Sequence, residues 1–212
     1  MAGTMPHAIF IEPEVDGPGT FAAYAAELPG CAVFAASDDE AAGRMPQRVN
    51  EFTGWLRERG EHVPAFVGDN WYEVERAAAT DNGTDGRVRA AFSLDELSPS
   101  DEEFGRWMRW LELSREELAD ALDAGTANGA ERKGALAAIV SQDLALARQL
   151  GADAADDAGG DTDPVDRLYA ARDRLTDALA ASGPTTDGVR RALRLAIADD
   201  LRLAAELRGS AA

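Results

Sequence analysis

Ala26-Glu27-Leu28-Pro29-Gly30-Cys31-Ala32-Val33-Phe34-Ala35-Ala36-Ser37-Asp38-Asp39-Glu40 carries three structural instructions in a row. Leu28-Pro29-Gly30 closes an apolar run with a turn, because proline presets φ and glycine accepts backbone conformations other residues resist. Cys31 to Ala36 is a short apolar run that reads as a strand. Ser37 with Glu40 three residues later is a capping-box pattern, and the acids at 38 to 40 suit the positive end of a helix.

Working outward, the residues before this stretch form two more strands. His7 to Ile11 is apolar and ends at Pro13. Asp16-Gly17-Pro18-Gly19 is a turn cluster, and Thr20 to Ala26 returns rich in aromatics and alanine. The two runs read as a hairpin. Beyond Ser37, Met45, Val49, Phe52 and Leu56 share one helical stripe, and Gly60 fits the stop. Pro46 lies inside that pattern and removes one helical hydrogen bond, which predicts a kink. Trp71 to Ala79 reads as a fourth strand. Thr80 to Gly86 is polar and turn-rich. It is either a hairpin turn with Val88 to Phe92 returning as a strand, or a linker.

After Ser98-Pro99-Ser100 the period changes from two to 3.6. One helical segment carries Phe104, Trp107, Met108, Leu111, Leu118 and Leu122. A second carries Leu136, Ile139, Val140, Leu144, Ala147 and Leu150. Asp153 to Asp161 reads as an acidic loop. A third helix opens at Asp163-Pro164, an N-cap acid with proline at the first helical position, and carries Val165, Leu168, Tyr169, Leu175 and Leu179. A fourth follows Gly183-Pro184 with Val189, Leu193, Ile197, Leu201 and Ala204. Stripes at this spacing predict a four-helix bundle. The expected class is α+β: a βββαβ domain over residues 1–97, with its core at 6–79, then a bundle over 98–212.

Composition narrows the function. The 212 residues carry 39 acids against 21 bases, a formal charge of -18, and Lys133 is the single lysine. Such a surface repels phosphate backbones, so direct nucleic-acid binding is not expected. Acid excess with scarce lysine is similar to proteins of salt-accumulating archaea, where screening lets dense carboxylates coexist; a GC-rich genome is the alternative source of arginine over lysine, though it accounts less well for the acid excess. Cys31 is the single cysteine, so no internal disulfide forms. Met1 to Pro6 lacks the basic and apolar regions of a signal peptide, and no apolar run reaches the roughly 20 residues of a membrane span. A soluble cytoplasmic protein with no membrane association is the expectation.

The first half resembles the HicB-like antitoxin domain over roughly residues 6–79. The matching residues are Leu28, Pro29, Gly30, Cys31 and Asp38 to Glu40, set between two apolar runs and before a capped helix. HicB antitoxins cover a small messenger-RNA-cleaving toxin and usually carry a DNA-binding segment at the C-terminus; this chain has an acidic helical half there. The second half resembles the DinB-like four-helix bundle over roughly residues 100–208. The resemblance lies in Trp110-Leu111-Glu112-Leu113-Ser114-Arg115-Glu116-Glu117-Leu118, in Ala135 to Leu150 and in Ala192 to Leu207. DinB-like enzymes, thiol-dependent transferases and isomerases among them, hold a divalent metal with three histidines. One comes from the second helix and two, four apart, from the last. The corresponding positions here fall near Ala138 and near Asp199 and Leu203, while the two histidines, His7 and His62, lie outside the bundle. The resemblance therefore implies a degenerate bundle without the histidine centre.

Other residues that could carry chemistry have simpler roles beside them. Cys31 could be a nucleophile if His7 supplied a base; a packed small residue at a strand start is the simpler role. His62 reads as a surface loop residue. Asp143, Asp199 and Asp200 could form a carboxylate metal site across two helices, in a chain where 39 acids make such proximity common. The acidic run at 153–163 lacks the ligand spacing of a calcium loop. Trp107 and Trp110 read as core packing, and Trp55 and Trp71 as packing between helix and sheet. Gly17-Pro18-Gly19 opens no helix and is not a phosphate loop.

The residues thus assign no catalytic residue, no metal ligand and no cofactor, and leave cofactor-binding residues unknown. They point to a two-domain protein that binds a protein partner, a small ligand or a second copy of itself. Two alternatives are a metal-dependent DinB-like transferase with a carboxylate site, and an antitoxin-like inhibitor of a small basic RNase.

Overall fold

The structure, a computed structural model, describes residues 7–63, 71–81, 87–124, 129–153 and 163–209. The fold is α+β, and the chain divides into two compact units, one reaching Leu94 and the other beginning at Asp95.

In the first unit β1 (His7–Pro13), β2 (Phe21–Ala25) and β3 (Ala32–Ala35) form an antiparallel meander. The Leu28 to Cys31 turn works as its residues dictate. The Cys31 N–H donates to the Leu28 carbonyl at 2.9 Å, with Pro29 at the first central position and Gly30 at the second with φ +87°, the arrangement of a type II turn. α1 (Asp38–Glu58) follows, capped where expected: the Ser37 hydroxyl accepts from the Glu40 N–H. It runs as one element through Pro46 and packs chiefly across β2 and β3. β4 (Trp71–Arg76) then pairs parallel with β1, giving the sheet order β3-β2-β1-β4. A parallel partner requires a crossover, and α1 supplies it.

Register sorts the two faces of the sheet. Ile11 and its partner Arg76 lie toward α1, where Arg76 donates to Asp38 at 2.8 Å. Phe10 and its partner Glu75 lie on the other face, where Glu75 accepts from the Ser93 N–H at 2.8 Å. Ile9, Ile11, Ala23 and Val33 therefore form the core with Met45, Val49, Phe52 and Leu56 of α1, all buried. The fourth strand is shorter than the predicted Trp71 to Ala79. Thr80–Asp81 (β5) pairs antiparallel with Arg87–Val88 (β6), and the polar residues 82–86 between them lie outside the described residues. Val88 to Phe92 does not continue as a strand; pairing ends at Val88.

The second unit contains α2 (Asp101–Ala124), α3 (Gly129–Gln149), α4 (Pro164–Ser182) and α5 (Val189–Leu207). α2 packs on α5 and α3 on α4, with α5 also against α3. α2 starts on a reciprocal capping box: Ser100 N–H and hydroxyl meet the Glu103 carboxylate at 2.9 Å, and the Glu103 N–H returns to Ser100 Oγ at 3.2 Å. α4 starts on Asp163, which accepts from the Val165 N–H at 2.8 Å. Most of the expected stripe residues are buried; Phe104, Met108, Ile139, Leu150 and Val165 are half-buried, and Tyr169 is exposed. α5 is buried from Ala192 through Leu201, charged residues included. No described helix is long and apolar enough to cross a membrane. Most of the acidic stretch at 153–163 lies outside the described residues.

Candidate functional site

Two buried clusters, one per unit, gather several chemistry-bearing side chains each. In the second unit all four helices send a polar group to the middle of the bundle. Arg172 of α4 bridges Asp143 of α3, Nη1 to Oδ2 at 3.1 Å, and Asp200 of α5, through Nη2. The Ser114 hydroxyl of α2 donates to Asp200 Oδ2 at 3.0 Å. Arg115 of α2 donates to the Thr176 hydroxyl of α4, and Gln142 of α3 donates to Asp199 Oδ2 at 3.2 Å. Arg172, Asp143 and Asp200 are at most 3 % exposed. That places the ion pair in low dielectric, where desolvation is costly. Burial pushes the Asp143 carboxyl above its ordinary range, opposed by Arg172 and Arg115 and aided by Asp199. Burial likewise lowers the Arg172 guanidinium, opposed first by Asp143.

Asp143, Asp199 and Asp200 do not converge as a ligand set. Neighbouring helical residues point about 100° apart, so Asp199 and Asp200 face different ways: Asp200 to Arg172 and Ser114, Asp199 to Gln142. The guanidinium stands where a cation shared by Asp143 and Asp200 would. Among the described residues no group of three His, Cys, Asp or Glu side chains is arranged to hold a metal ion. Ala138, near which the resemblance would put a second-helix ligand, is exposed; Asp143 of the same helix is buried, as are Asp199 and Leu203.

In the first unit Glu12, wholly buried on β1, accepts from the Tyr24 hydroxyl at 2.8 Å, from Arg89 Nε at 3.1 and 3.2 Å, and from the Ala90 N–H at 2.7 Å. Arg89 also donates to the Tyr24 hydroxyl. Phe92 stacks on Phe10 at 4.9 Å and tilts against Tyr24 at 5.9 Å. This cluster lies on the face of the sheet opposite α1.

The remaining sequence candidates fall elsewhere. Cys31 is wholly buried, and desolvation pushes its thiol from 9.0 up to about 12, with Arg48 opposing and Glu51 adding. His7 lies on β1, separated from β3 by β2, and stacks on Trp71 at 4.6 Å. The two do not form a nucleophile–base pair. His62 is exposed. Trp107 and Trp110 are buried at 2 % exposure, with the Arg190 guanidinium 4.6 Å from the Trp107 ring centre. Trp55 stacks on Phe52 within α1, and Trp71 packs on a neighbouring strand. Gly17-Pro18-Gly19 belongs to the β1–β2 loop, where the Thr20 hydroxyl donates to the Gly17 carbonyl at 2.6 Å.

Arg172, Glu12 and Arg89 were not among the candidates, although the sequence holds a signal for two of them. Arg172 sits between Leu168 and Leu175 on the buried stripe of α4, and Glu12 continues the alternation of Phe10. Arg89 has no such signal. Its partners, Glu12 and Tyr24, are distant in sequence. Comparison with family models, curated proteins and solved structures finds no match to this chain.

Proposed function

We propose that this chain is a two-unit binding protein without catalysis of its own, a HicB-like sheet unit joined to a DinB-like bundle. The observation that carries this reading is Arg172 spanning Asp143 and Asp200 at the bundle centre. A metal-dependent transferase needs open carboxylate or imidazole ligands and a position for substrate. Here the two central carboxylates already neutralise a fixed cation, and the third faces another residue. The other reactive group, Cys31, is held as a neutral thiol. The arrangement supports a role in which the surface, and not the bundle centre, meets a partner.

Isothermal titration of the purified full chain with Mn²⁺, Ni²⁺ and Zn²⁺ tests this. The expected result is no stoichiometric site that depends on Asp143 or Asp200. One equivalent of metal, lost in both D143N and D200N, would replace the binding reading with the carboxylate-metal enzyme.

A further inference from the structure

We infer that the face of the sheet opposite α1 is a groove for an extended peptide carrying arginine with phenylalanine three residues later, and that residues 89–92 fill it in cis. The inference rests on reading the chain as a binding protein and names the chemistry of its partner.

Residues 89–92 lie beyond the last ladder pair, since β6 ends at Val88. What holds them is side-chain recognition. The Arg89 guanidinium takes both oxygens of Glu12 and the Tyr24 hydroxyl, and lies 5.8 Å from the Phe34 ring centre. The Ala90 N–H takes Glu12 Oε1. Ala91 is exposed, and Phe92 is buried against Phe10 and Tyr24. Two anchors with a small solvent-facing residue between them is how extended peptides are read by a sheet surface with pockets.

The receptor side is specific in a way that plain burial does not require. Covering a sheet face needs only apolar residues, and a buried ion pair is often no better than apolar replacements. This face instead holds a wholly buried carboxylate, Glu12, which the Tyr24 hydroxyl meets at 2.8 Å. An unpaired carboxylate there is strongly unfavourable, so the face selects a guanidinium, which offers a planar fork to both oxygens. Tyr72, the register partner of Ala8 on the same face, is 46 % exposed and extends the aromatic surface past the segment. The formal charge of -18 steers a cationic peptide toward the molecule.

The test uses the full chain with Arg89→Ala and Phe92→Ala together, and a fluorescent peptide with the sequence of residues 86–93. Anisotropy is expected to show binding at least tenfold tighter than to the wild type, whose own segment competes at high effective concentration. Adding Glu12→Gln to the double variant, or replacing the peptide's second arginine by glutamine, is expected to weaken binding at least tenfold. A double variant with wild-type circular dichroism that does not bind the peptide overturns the inference. If the double variant does not fold, hydrogen exchange on the wild type decides. The Ala90 amide is then expected to exchange at least tenfold faster than the paired amides of β1 and β2; equal protection overturns a separable segment. Failure of either kind leaves the metal titration untouched, whereas metal bound through Asp143 and Asp200 removes the wider reading without altering the peptide result.

Discussion

Arg172 sits on a stripe whose other members are Leu168, Ala171, Leu175, Ala178 and Leu179, so its side chain enters the core by helical geometry alone. Once there it needs two counter-charges, and α3 and α5 supply one each. Removing the guanidinium leaves Asp143 and Asp200 buried together. R172M is therefore expected to lose about 3–5 kcal/mol in urea denaturation. Replacing all three, R172M with D143L and D200L, is expected to recover most of that loss or exceed wild type, because Arg172 Nε is buried without a hydrogen-bond partner among the described residues. Cys31 is a second residue-scale case. Its fold-raised pKa favours the neutral thiol, so its stabilising contribution is present below 9.0 and is lost as pH rises from there to about 12. Thiolate at pH 8 is about a thousandfold scarcer than for a free thiol. Native protein is expected to resist Ellman's reagent at pH 8 and react fully in guanidinium; rapid native reaction would contradict the burial argument. Asp143 was legible as a candidate from its place on the second bundle helix, with the Asp199–Asp200 pair on the fourth. Its partner Arg172 was not, because one of three arginines in an amphipathic helix reads as a boundary residue until the neighbouring helices are placed.

Elements were more legible than side-chain partners, because local chemistry sets their ends. Pro29-Gly30 forces the turn, Ser37 and Ser100 cap helices, and Asp163-Pro164 starts one. S37A and S100A are each expected to cost about 1 kcal/mol in thermal or denaturant unfolding. G30A is expected to cost a similar ~1 kcal/mol, since φ of +87° strains any residue with a Cβ. Less legible were elements set by distant pairing. Trp71, Tyr72 and Val74 favour extended chain, and β4 stops at Arg76, before three alanines, with the Arg76 side chain turned to Asp38 and Glu73. Val88 to Phe92 reads either as a returning strand or as part of a linker. Glu12 holds Arg89 and Ala90 by side-chain bonds, and no periodicity in the sequence announces a carboxylate 77 residues upstream of Arg89.

At the scale of the molecule, charge and ion pairing act against each other. The formal charge of -18 destabilises the compact state by self-repulsion, and salt weakens that term as the Debye length falls from about 30 Å at 0.01 M to about 3 Å at 1 M. The midpoint of thermal unfolding is expected to fall as KCl is lowered from molar to dilute; a constant midpoint would contradict the reading of the acid excess as a salt adaptation. The buried pairs, Glu12 with Arg89, Asp143 and Asp200 with Arg172, and Asp95 with Arg194 at 2.6 Å, are screened far less. They are expected to persist in dilute buffer. In the proposed binding protein the Arg172 guanidinium stands in the place of a metal ion. A crystal of the full chain grown in Mn²⁺ and measured for anomalous scattering decides between the two. Arg172 is expected between Asp143 and Asp200 with no anomalous peak beside them; a manganese peak bound by those two carboxylates, with Arg172 displaced, would overturn this.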